Sequence, residues 1–384
     1  MASRGHNWID GETAEAASGT WFELSAASGR SSLGRWPRSG DLDLELALHA
    51  ARAAEPAWRG VGLGARHDAA STAAESLLAA PDPDGNARRA LGFSDAEFDL
   101  HLRGLEAVVA EALSPHSPLA RGPLGARDGP CLLAPAWSSG WHAPLRTSLY
   151  ALRAGRPVIF APDGRLPSIG DALRAAFAGL PRGVFQVLHD DGRTLVRAAL
   201  ARRDLPSMVA GAERLDADFA GASHVEIAHP RRTTFVVDPV QPLEDQVRRL
   251  LDSAFGRARA LSGSRSGQVG RVIAIDRIYS RVNELVLEQI ESSIDAARPL
   301  PTAAVSQTSA LEDALELGLD EGATAVITGV GGPYRLFPLV FTNVEPAWRV
   351  ARQNTPCALL LLMRAHDLRS AHAAALRLDQ EVRS

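Results

Sequence analysis

The sequence predicts an α/β fold built on mostly parallel, doubly wound sheets, and three observations lead to that fold class. From Pro130 onward, short apolar runs of strand length alternate with stretches of helical length. The length of 384 residues suits one large or two medium domains. Hydrophobic residues make up 46% of the chain, which is enough for a packed core and excludes a disordered protein.

The region before residue 130 combines short strands with longer helices. Turn residues flank the pair Trp8–Ile9 and the run Trp21–Leu24, which indicates short strands. In the helix that follows, Asp41 and Asp43 lie in the first turn, where the helix dipole favours negative charge. The predicted elements of this region are strands at 8–9 and 21–24, a helix from about 41 to near 56, a Gly-x-Gly-x-Gly loop at 60–64, a loop at 82–86 and a helix over 93–113.

Strands and helices alternate through the rest of the chain. The apolar run at 358–363 is far shorter than the ~18 residues that a membrane span needs, so we predict a buried strand there. The predicted strands are at 131–134, 157–160, 183–188, 234–237, 272–275, 323–328 and 358–363, and the predicted helices at 144–154, 168–177, 243–259, 279–293 and 367–382.

Charge and composition exclude several classes of protein. Lys and Arg together number 41 against 45 Asp and Glu, so the net charge of −4 gives no reason to expect nucleic acid or a membrane as partner. All of the basic residues in that count are arginines, and the absence of lysine excludes Schiff-base and P-loop lysine chemistry. The two cysteines, Cys131 and Cys357, exclude a dense disulfide scaffold and a four-cysteine zinc site.

Targeting and metal signals are missing from the sequence. The first residues include no apolar segment of the kind found in signal peptides, which predicts a cytoplasmic protein. The histidines show no tight metal-ligand spacing, so we expect no metal site. Ser138, Ser139 and His142 lie close together, but no Gly-x-Ser-x-Gly elbow surrounds them, so a serine hydrolase is not indicated.

A series of short motifs runs along the chain in a fixed order. These are NWIDGE at 7–12, PAW at 56–58, AGRPVIFAP at 154–162, GLPRGV at 179–184, GQV at 267–269, FTNV at 341–344 and RVA at 349–351. In this order and at this spacing they resemble the aldehyde dehydrogenase superfamily over nearly the whole chain. Each motif alone is weak, whereas the ordered set is specific.

The resemblance implies an aldehyde-dehydrogenase-like fold with two Rossmann-like α/β domains. Residues 1–225, with their N-terminal strands and helices, would form the NAD-binding-like domain. Residues 226–384 would form a catalytic-like domain that is shorter than in active relatives. Because a fold does not determine an activity, the individual site positions decide what function is expected.

The nucleophile position is the first departure from the family. Members of the family oxidise aldehydes through a cysteine thiolate, which attacks the carbonyl before hydride leaves to NAD. That cysteine follows the Gly-Gln-Val motif, and here the position is Gly270. Counting 34 residues on from Glu226 leads instead to Ala260. Cys131 lies in a predicted core strand, and Cys357 is a displaced nucleophile only in an alternative interpretation.

Two further catalytic positions follow from the resemblance. Ser138 stands where the family has the asparagine that donates a hydrogen bond to the developing alkoxide. Glu226 keeps the position of the general base. Without a thiol, however, that base has nothing to activate, so a structural role for Glu226 is favoured.

The cofactor positions differ from the family more widely. Ala161 replaces the lysine that holds the adenine ribose, and Gly164 replaces its glutamate partner. The glutamate that grips the nicotinamide ribose falls at Arg352 or Gln353. The full set of vestigial cleft positions that the resemblance implies is Trp137, Ala161, Pro162, Gly211 and Ala212.

Together these substitutions favour a catalytically inactive family member, a pseudoenzyme, and we expect no cofactor. Such a chain would pair with or regulate an active aldehyde-dehydrogenase-like partner. A protein partner in a homo- or hetero-oligomer is also expected because a shortened sheet would otherwise expose apolar faces. The alternative is an active NAD(P)-dependent aldehyde dehydrogenase with Glu226 as base and a displaced nucleophile such as Cys357. A third hypothesis is a module that binds another ligand in the former cofactor cleft.

Overall fold

The chain divides into two compact units in the computed structural model. The first unit comprises residues 1–94 and 98–228, and the second comprises 95–97 and 229–384. The assignment of the first unit to cofactor binding and the second to catalysis stays a prediction. The residues that the structure describes are 3–25, 32–91, 95–114, 128–192, 194–211, 225–228, 232–256, 268–294, 300–301, 305–330, 335–353 and 358–381.

The described elements alternate as the sequence predicts. The strands are β1 (Ser3–Arg4), β2 (Asn7–Ile9), β3 (Glu12–Ala14), β4 (Trp21–Ser25), β5 (Ser32–Pro37), β6 (Cys131–Ala134), β7 (Val158–Phe160), β8 (Phe185–Val187), β9 (Ser207–Gly211), β10 (Val225–Ala228), β11 (Arg232–Val236), β12 (Gln268–Ile275), β13 (Leu300–Pro301), β14 (Thr324–Val330), β15 (Arg335–Val344) and β16 (Leu359–Ala365). The helices are α1 (Asp41–Gly60), α2 (Leu63–Ala79), α3 (Asn86–Leu91), α4 (Asp95–Leu113), α5 (His142–Arg153), α6 (Ser168–Phe177), α7 (Thr194–Ala201), α8 (Leu243–Leu251), α9 (Asp276–Ile294), α10 (Val305–Asp320), α11 (Arg349–Arg352) and α12 (Leu368–Glu381). A 3₁₀ turn at Trp137–Ser139 and a π-helical turn at Asp252–Gly256 complete the set.

A seven-stranded sheet forms the centre of the first unit, with the strand order β10-β9-β6-β7-β8-β2-β3. The strands from β10 to β8 are parallel, whereas β2 and β3 add to the β8 edge in antiparallel fashion. The chain runs from β6 through β7 to β8 and then crosses back to β9 and β10. This is a Rossmann-like order, and the direction of winding reverses between β6 and β9.

The N-terminus of helix α1 is capped by a side chain from its own first turn. Asp43 is buried, and its carboxylate accepts hydrogen bonds from the backbone nitrogens of Gly40 and Ala17, both at 2.9 Å. This caps the first turn, whose backbone N–H groups have no partner within the helix. The helix continues past Pro56 to Gly60, so the end predicted near Pro56 is four residues too early.

The second unit has its own mostly parallel sheet, in the order β11-β12-β16-β15-β13, with β14 also paired to β15. The strands β11, β12, β16 and β15 are parallel, and β13 and β14 run antiparallel to β15. One face packs against α10 and α12, and the other face packs against α8 and α9. The prediction of two Rossmann-like α/β units with mostly parallel sheets is therefore confirmed.

Several predicted boundaries need correction. The Gly-x-Gly-x-Gly segment is not a loop over 60–64: Gly60 ends α1, and Gly64 is already the second residue of α2. The helix predicted to reach residue 259 is an α-helix only to Leu251, followed by the π-helical turn. Strand β14 lies where the strand at 323–328 is predicted, whereas β15, which pairs with β14, and helix α10 are elements that the sequence patterns did not predict. In the described part of the chain, no helix is both long enough and apolar enough to cross a membrane.

Candidate functional site

The parallel strands of the first unit end at one edge of its sheet, where the candidate cleft positions lie. Strand β6 ends at Ala134, β7 at Phe160, β8 at Val187 and β9 at Gly211. In open α/β sheets, ligands bind outside the carboxyl ends of the strands, at the point where the winding reverses. The turns that follow these four strands therefore define the candidate cofactor edge.

An internal ion pair occupies the turn after β7. The Asp163 carboxylate, 3% exposed, accepts hydrogen bonds from Arg165 Nε at 2.9 Å and from an Arg165 terminal nitrogen at 2.8 Å. It also accepts from the backbone nitrogens of Arg165 at 3.0 Å and Trp137 at 3.3 Å. The Arg165 guanidinium lies over the Trp137 ring, 5.4 Å from its centre. The charges of this turn are thus satisfied within the chain, as buried charges must be.

Backbone packing closes the space beside that ion pair. A Cβ placed on Gly164 would lie 2.6 Å from the carbonyl carbon of Asp191 and 2.8 Å from the carbonyl oxygen of Asp190. Real Cβ atoms do not approach backbone so closely, because the interior is close-packed and backbone atoms cannot swing away. At the reversal point, a Cβ on Gly211 would lie 2.4 Å from the Ala136 nitrogen. Only glycine fits either position.

A buried histidine follows β8 at the same edge and faces a partly buried aspartate on α6. The His189 side chain has no exposed surface, and its Nε2 lies 3.6 Å from Asp171 Oδ1 on α6. The other Asp171 oxygen accepts a hydrogen bond from Trp36 Nε1 at 2.7 Å. Burial raises the pKa of Asp171, but His189, the Trp36 hydrogen bond and Arg174 together lower that pKa below its ordinary value.

Some buried donors at this edge have no such partner. Among the residues that the structure describes, neither Trp137 Nε1 nor His189 Nδ1 has a hydrogen-bond partner. Buried polar groups are normally satisfied by protein or by ordered water.

In the second unit, Gly270 lies inside a strand rather than on an exposed turn. Thr233 of β11 pairs with Val269 of β12, and Thr234 pairs with Arg271, so the register skips Gly270. Gly270 is the extra residue of a β-bulge, and it is buried. This position offers no side chain to attack a substrate.

The next residue, Arg271, is a fully buried arginine with a structural set of partners. Its Nε donates to the carbonyl oxygen of Ala351 at 2.6 Å, and a terminal nitrogen donates to that of Gln353 at 3.4 Å. Another terminal nitrogen lies 3.9 Å from Asp379 on α12. Arg271 therefore ties the end of α11 to the sheet and to α12.

Comparison with known proteins establishes the family. The model of the "Aldehyde dehydrogenase family" matches residues 119–377, which is more than half of the chain. This chain belongs to the aldehyde dehydrogenase family. The predicted resemblance is thereby confirmed.

Curated relatives in the family are distant. Malonate-semialdehyde dehydrogenase 3 of Geobacillus kaustophilus is 26% identical over 62% of this chain and 51% of its own length. The chain thus spans about half the length of the first curated relatives it matches. Malonate-semialdehyde dehydrogenase 1 of the same organism is 24% identical over 95% of this chain and 80% of its own length.

Solved structures show the aldehyde dehydrogenase fold over nearly the whole chain. An NAD-dependent benzaldehyde dehydrogenase from Corynebacterium glutamicum has a TM-score of 0.79 and 19% identity, covering 96% of this chain and 86% of its own. An NADP-dependent glyceraldehyde-3-phosphate dehydrogenase from Bacillus halodurans, complexed with NADP, has a TM-score of 0.74 and 17% identity over 97% of this chain and 83% of its own. At these identities the likeness shows the fold alone, and the predicted fold class is confirmed.

The family's cofactor is NAD or NADP, and the described residues at two positions do not fit its adenine ribose. The resemblance places Ala161 at the family's lysine position, and Ala161 is fully buried in the apolar core beside β7. Gly164 stands in the glutamate position, where even a methyl group would meet backbone. Pro162 between them is also buried and has no side-chain donor. At the positions where the resemblance places the adenine-ribose contacts, the present residues offer no polar side chain.

The catalytic positions of the family are only partly described. Glu226 lies in β10, with its backbone paired to Val209 of β9, and Ser138 lies in the 3₁₀ turn after β6. Their side chains fall outside the described part of the structure, as do Ala212, Ala260 and Cys357 entirely. The roles predicted for all of these residues stay predictions. Cys131, by contrast, is buried in β6, as its predicted core position required.

Four of the described histidines have ordinary structural surroundings. His142 is buried, and its ring packs edge-on against that of His101, with 4.2 Å between the ring centres. His366 is exposed beside Asp276, and His372 bonds to the Leu368 carbonyl oxygen. Within the described residues, no group of three or more His, Cys, Asp or Glu side chains is placed to hold a metal ion.

The Asp163–Arg165 pair is a feature of the site that sequence patterns did not reveal. Its only sequence signal is an acid and a base two residues apart, directly after a buried strand. The contact of Gly164 with residues 190–191 gives no sequence signal, because those residues lie on a different turn. Both features are visible only once the strands are assembled.

Proposed function

We propose that this chain is a catalytically inactive member of the aldehyde dehydrogenase family that acts by pairing with, or regulating, an active family member. One observation carries the proposal: Gly270, which the resemblance places at the nucleophile position, is a buried residue in a strand bulge. Covalent aldehyde oxidation needs a thiolate to form the thiohemiacetal. Glycine cannot supply one, and loss of a nucleophile costs a rate factor of about 10⁶ in well-studied hydrolases.

The cofactor edge supports the same proposal independently. The ribose contacts of the family would require long polar side chains at residues 161 and 164. The first position is fully buried, and the second has no room for a side chain. Restoring the family residues one at a time would therefore disturb the core instead of rebuilding the cofactor site.

A second candidate function is that of an active NAD(P)-dependent aldehyde dehydrogenase with a displaced nucleophile. Two observations favour it. The structural relatives include enzymes named as NAD-dependent and NADP-dependent, and the resemblance places Glu226, which lies in β10, at the family's general-base position. In this version Cys357 is the nucleophile, because Cys131 is buried in β6.

Calorimetric titration of the full chain with NAD and with NADP separates the two candidates. The inactive proposal expects no saturable heat up to millimolar cofactor, and no NAD(P)H formation from octanal or benzaldehyde. Saturable binding together with turnover would overturn it in favour of the enzyme. Turnover that is lost in Cys357→Ala but kept in Cys131→Ala would then identify the displaced nucleophile.

The partner part of the proposal has its own measurement. Light scattering after size exclusion, over a range of chain concentrations, reports whether the chain associates with itself. A mass that rises to a dimer or larger supports a homo-oligomer. A monomer at every concentration would contradict self-association, and the test would move to mixtures with an intact aldehyde dehydrogenase, whose turnover should then change.

A further inference from the structure

Two helices on one face of the second unit's sheet carry opposite charges on their outer sides. Helix α10 packs over β14 and β15, and α12 packs over β11, β12 and β16, with the short helix α11 between them. Both helices bury their apolar side in the same core cluster. The sides that face away from the sheet are therefore available for contact with another molecule.

The outer side of α10 is acidic. Four exposed carboxylates there have neither an ion pair nor a hydrogen bond among the described residues: Glu312, Asp313, Glu316 and Asp320. Leu319, which is 52% exposed, lies in their midst. Residues three, four or seven positions apart share one side of a helix, so Glu312, Glu316 and Leu319 form a single stripe. The helix contains no basic residue that could neutralise this charge.

The outer side of α12 is basic. The side chains of Arg369 and Arg377 are exposed and have neither an ion pair nor a hydrogen bond among the described residues. Leu376, which is 62% exposed, lies seven residues after Arg369 and on the same side of the helix. This side thus repeats the arrangement on α10, an exposed leucine among charged side chains, with the opposite sign of charge.

Both helices are held firmly on the sheet. Thr234 of β11 donates a hydrogen bond to the Asp379 carboxylate of α12 at 2.9 Å, and that carboxylate lies 3.9 Å from the buried Arg271. On α10, a Cβ placed on Gly318 would lie 2.4 Å from the Phe341 ring, so the helix approaches β15 closely. Surfaces that are already fixed lose little conformational entropy when a partner binds.

The two outer sides are complementary to each other and not to themselves. Two acidic sides would repel, as would two basic sides, whereas an acidic side attracts a basic one. Within one chain they cannot meet, because α11 separates the two helices and both sides face away from the sheet. In a pair of chains, a two-fold axis that passes over α11 places α10 of each copy on α12 of the other, because such an axis exchanges the two ends of the face.

We propose that a second copy of this chain docks on this face, with the acidic side of α10 from one copy against the basic side of α12 from the other. Leu319 of one copy and Leu376 of the other form the apolar centre of each contact. This pairing supplies the surface for the partner part of the function proposed above and rests on that part alone, because neither helix carries a nucleophile or cofactor position. An interface made mainly of charged side chains is reversible and sensitive to salt.

Sedimentation velocity of the full chain tests the pairing. At low salt the mass should rise from monomer to dimer as the chain concentration increases. The dimer should weaken at about 1 M salt, where the Debye length is only about 3 Å. A monomer at every concentration would overturn this surface together with self-association. A dimer that is equally stable at high salt would overturn this surface and leave self-association standing, and neither result bears on cofactor binding or turnover.

Two charge reversals and their mixture locate the interface. Arg369→Glu and Glu316→Arg should each weaken the dimer by about tenfold or more, because each places like charges together in both contacts. An equal mixture of the two variants should associate as the parent chain does. In the mixed dimer one contact is unchanged and the other has both of its charges exchanged, so both contacts attract.

A matched control makes the same change on the other face of the sheet. Arg277 on α9 is exposed and has no side-chain partner among the described residues, so Arg277→Glu should leave the dimer unchanged. Equal weakening by Arg277→Glu and Arg369→Glu would reduce the effect to net charge. Failure of the mixture to associate would mean that α10 and α12 do not face each other. Either result contradicts the proposed pairing.

Discussion

Arg165 in the first unit and Arg377 in the second are both arginines at a candidate binding surface, yet they are bonded in opposite ways. Arg165 makes two side-chain hydrogen bonds to a buried carboxylate and covers the Trp137 ring. Arg377 lies on the outer side of α12 and is exposed. Of these two arginines, only Arg377 leaves its donors unused within the described part of the chain.

The difference arises from the nearest acid along the chain. Asp163 lies two residues before Arg165 in a tight turn, so the pair closes locally, directly after β7. On α12 the acid two residues after Arg377 is Asp379, which is engaged by Thr234 and faces Arg271. The Arg165 guanidinium is thus paired within its own turn, whereas the Arg377 guanidinium is exposed on α12 and has no partner among the described residues.

The largest expected effect follows from removing one partner at each place. Asp163→Ala should lower the free energy of unfolding of the first unit by about 3 kcal/mol, because it leaves the Arg165 guanidinium and two backbone nitrogens without their buried acceptor. Arg377→Gln should change it by less than about 0.5 kcal/mol, because no internal contact is lost. Urea unfolding followed by tryptophan fluorescence measures both. Similar values for the two variants would remove the contrast between the two arginines.

A smaller effect is expected from filling the space at the first edge. Gly164→Ala should lower the free energy of unfolding by about 2 kcal/mol, because its Cβ would meet the backbone of Asp190 and Asp191. Gly179→Ala is the matched control, since a Cβ there meets nothing within 4 Å. The control should be neutral or slightly stabilising, through a less flexible unfolded chain. A neutral Gly164→Ala would mean that the glutamate position of the family is open after all.

Local patterns predicted most of the fold because strands and helices here have clear periodicity. Helix α6 spans the predicted residues, and the buried strands β6, β7 and β16 were placed within two residues. Helix α2 was missed because Gly62 and Gly64 suggested a loop, although Gly64 has open space around it and is tolerated in the first turn. Strand β15 was missed because Pro338, which cannot donate to a ladder, argues against a strand.

The candidate site was much less predictable than the fold. The resemblance located positions such as Ala161 and Gly270, because they are tied to motifs in a fixed order. The resemblance gave no information on which other parts of the chain surround these positions in the folded protein. The crowding at Gly164 comes from residues 190–191, and the anchoring of α12 comes from Thr234, which is far away along the chain. Such contacts depend on how strands assemble, and no local pattern contains them.

The smallest expected effect concerns acid stability at the first edge. Asp171 accepts from Trp36 Nε1 at 2.7 Å and faces His189, and its pKa lies below the ordinary value even though burial acts in the opposite direction. An acid with a lowered pKa in the folded state stabilises the fold above its unfolded pKa, about 3.9, and loses that contribution as the pH falls through the folded pKa. The contribution is therefore complete from about pH 5 to 7.

Asp171→Asn tests this dependence because the amide cannot titrate. At pH 7 the variant should unfold with about 1 kcal/mol less free energy than the parent chain, since it loses a charged acceptor for Trp36. Below about pH 4 the difference should shrink, because the parent loses the same contribution by protonation. Asp84→Asn, on the exposed turn before α3, should differ from the parent by less than about 0.5 kcal/mol at every pH. If the Asp171→Asn difference stayed constant down to pH 2, the charge on Asp171 would not stabilise the fold. Asp171 would then be less completely paired than Asp163 at the same edge.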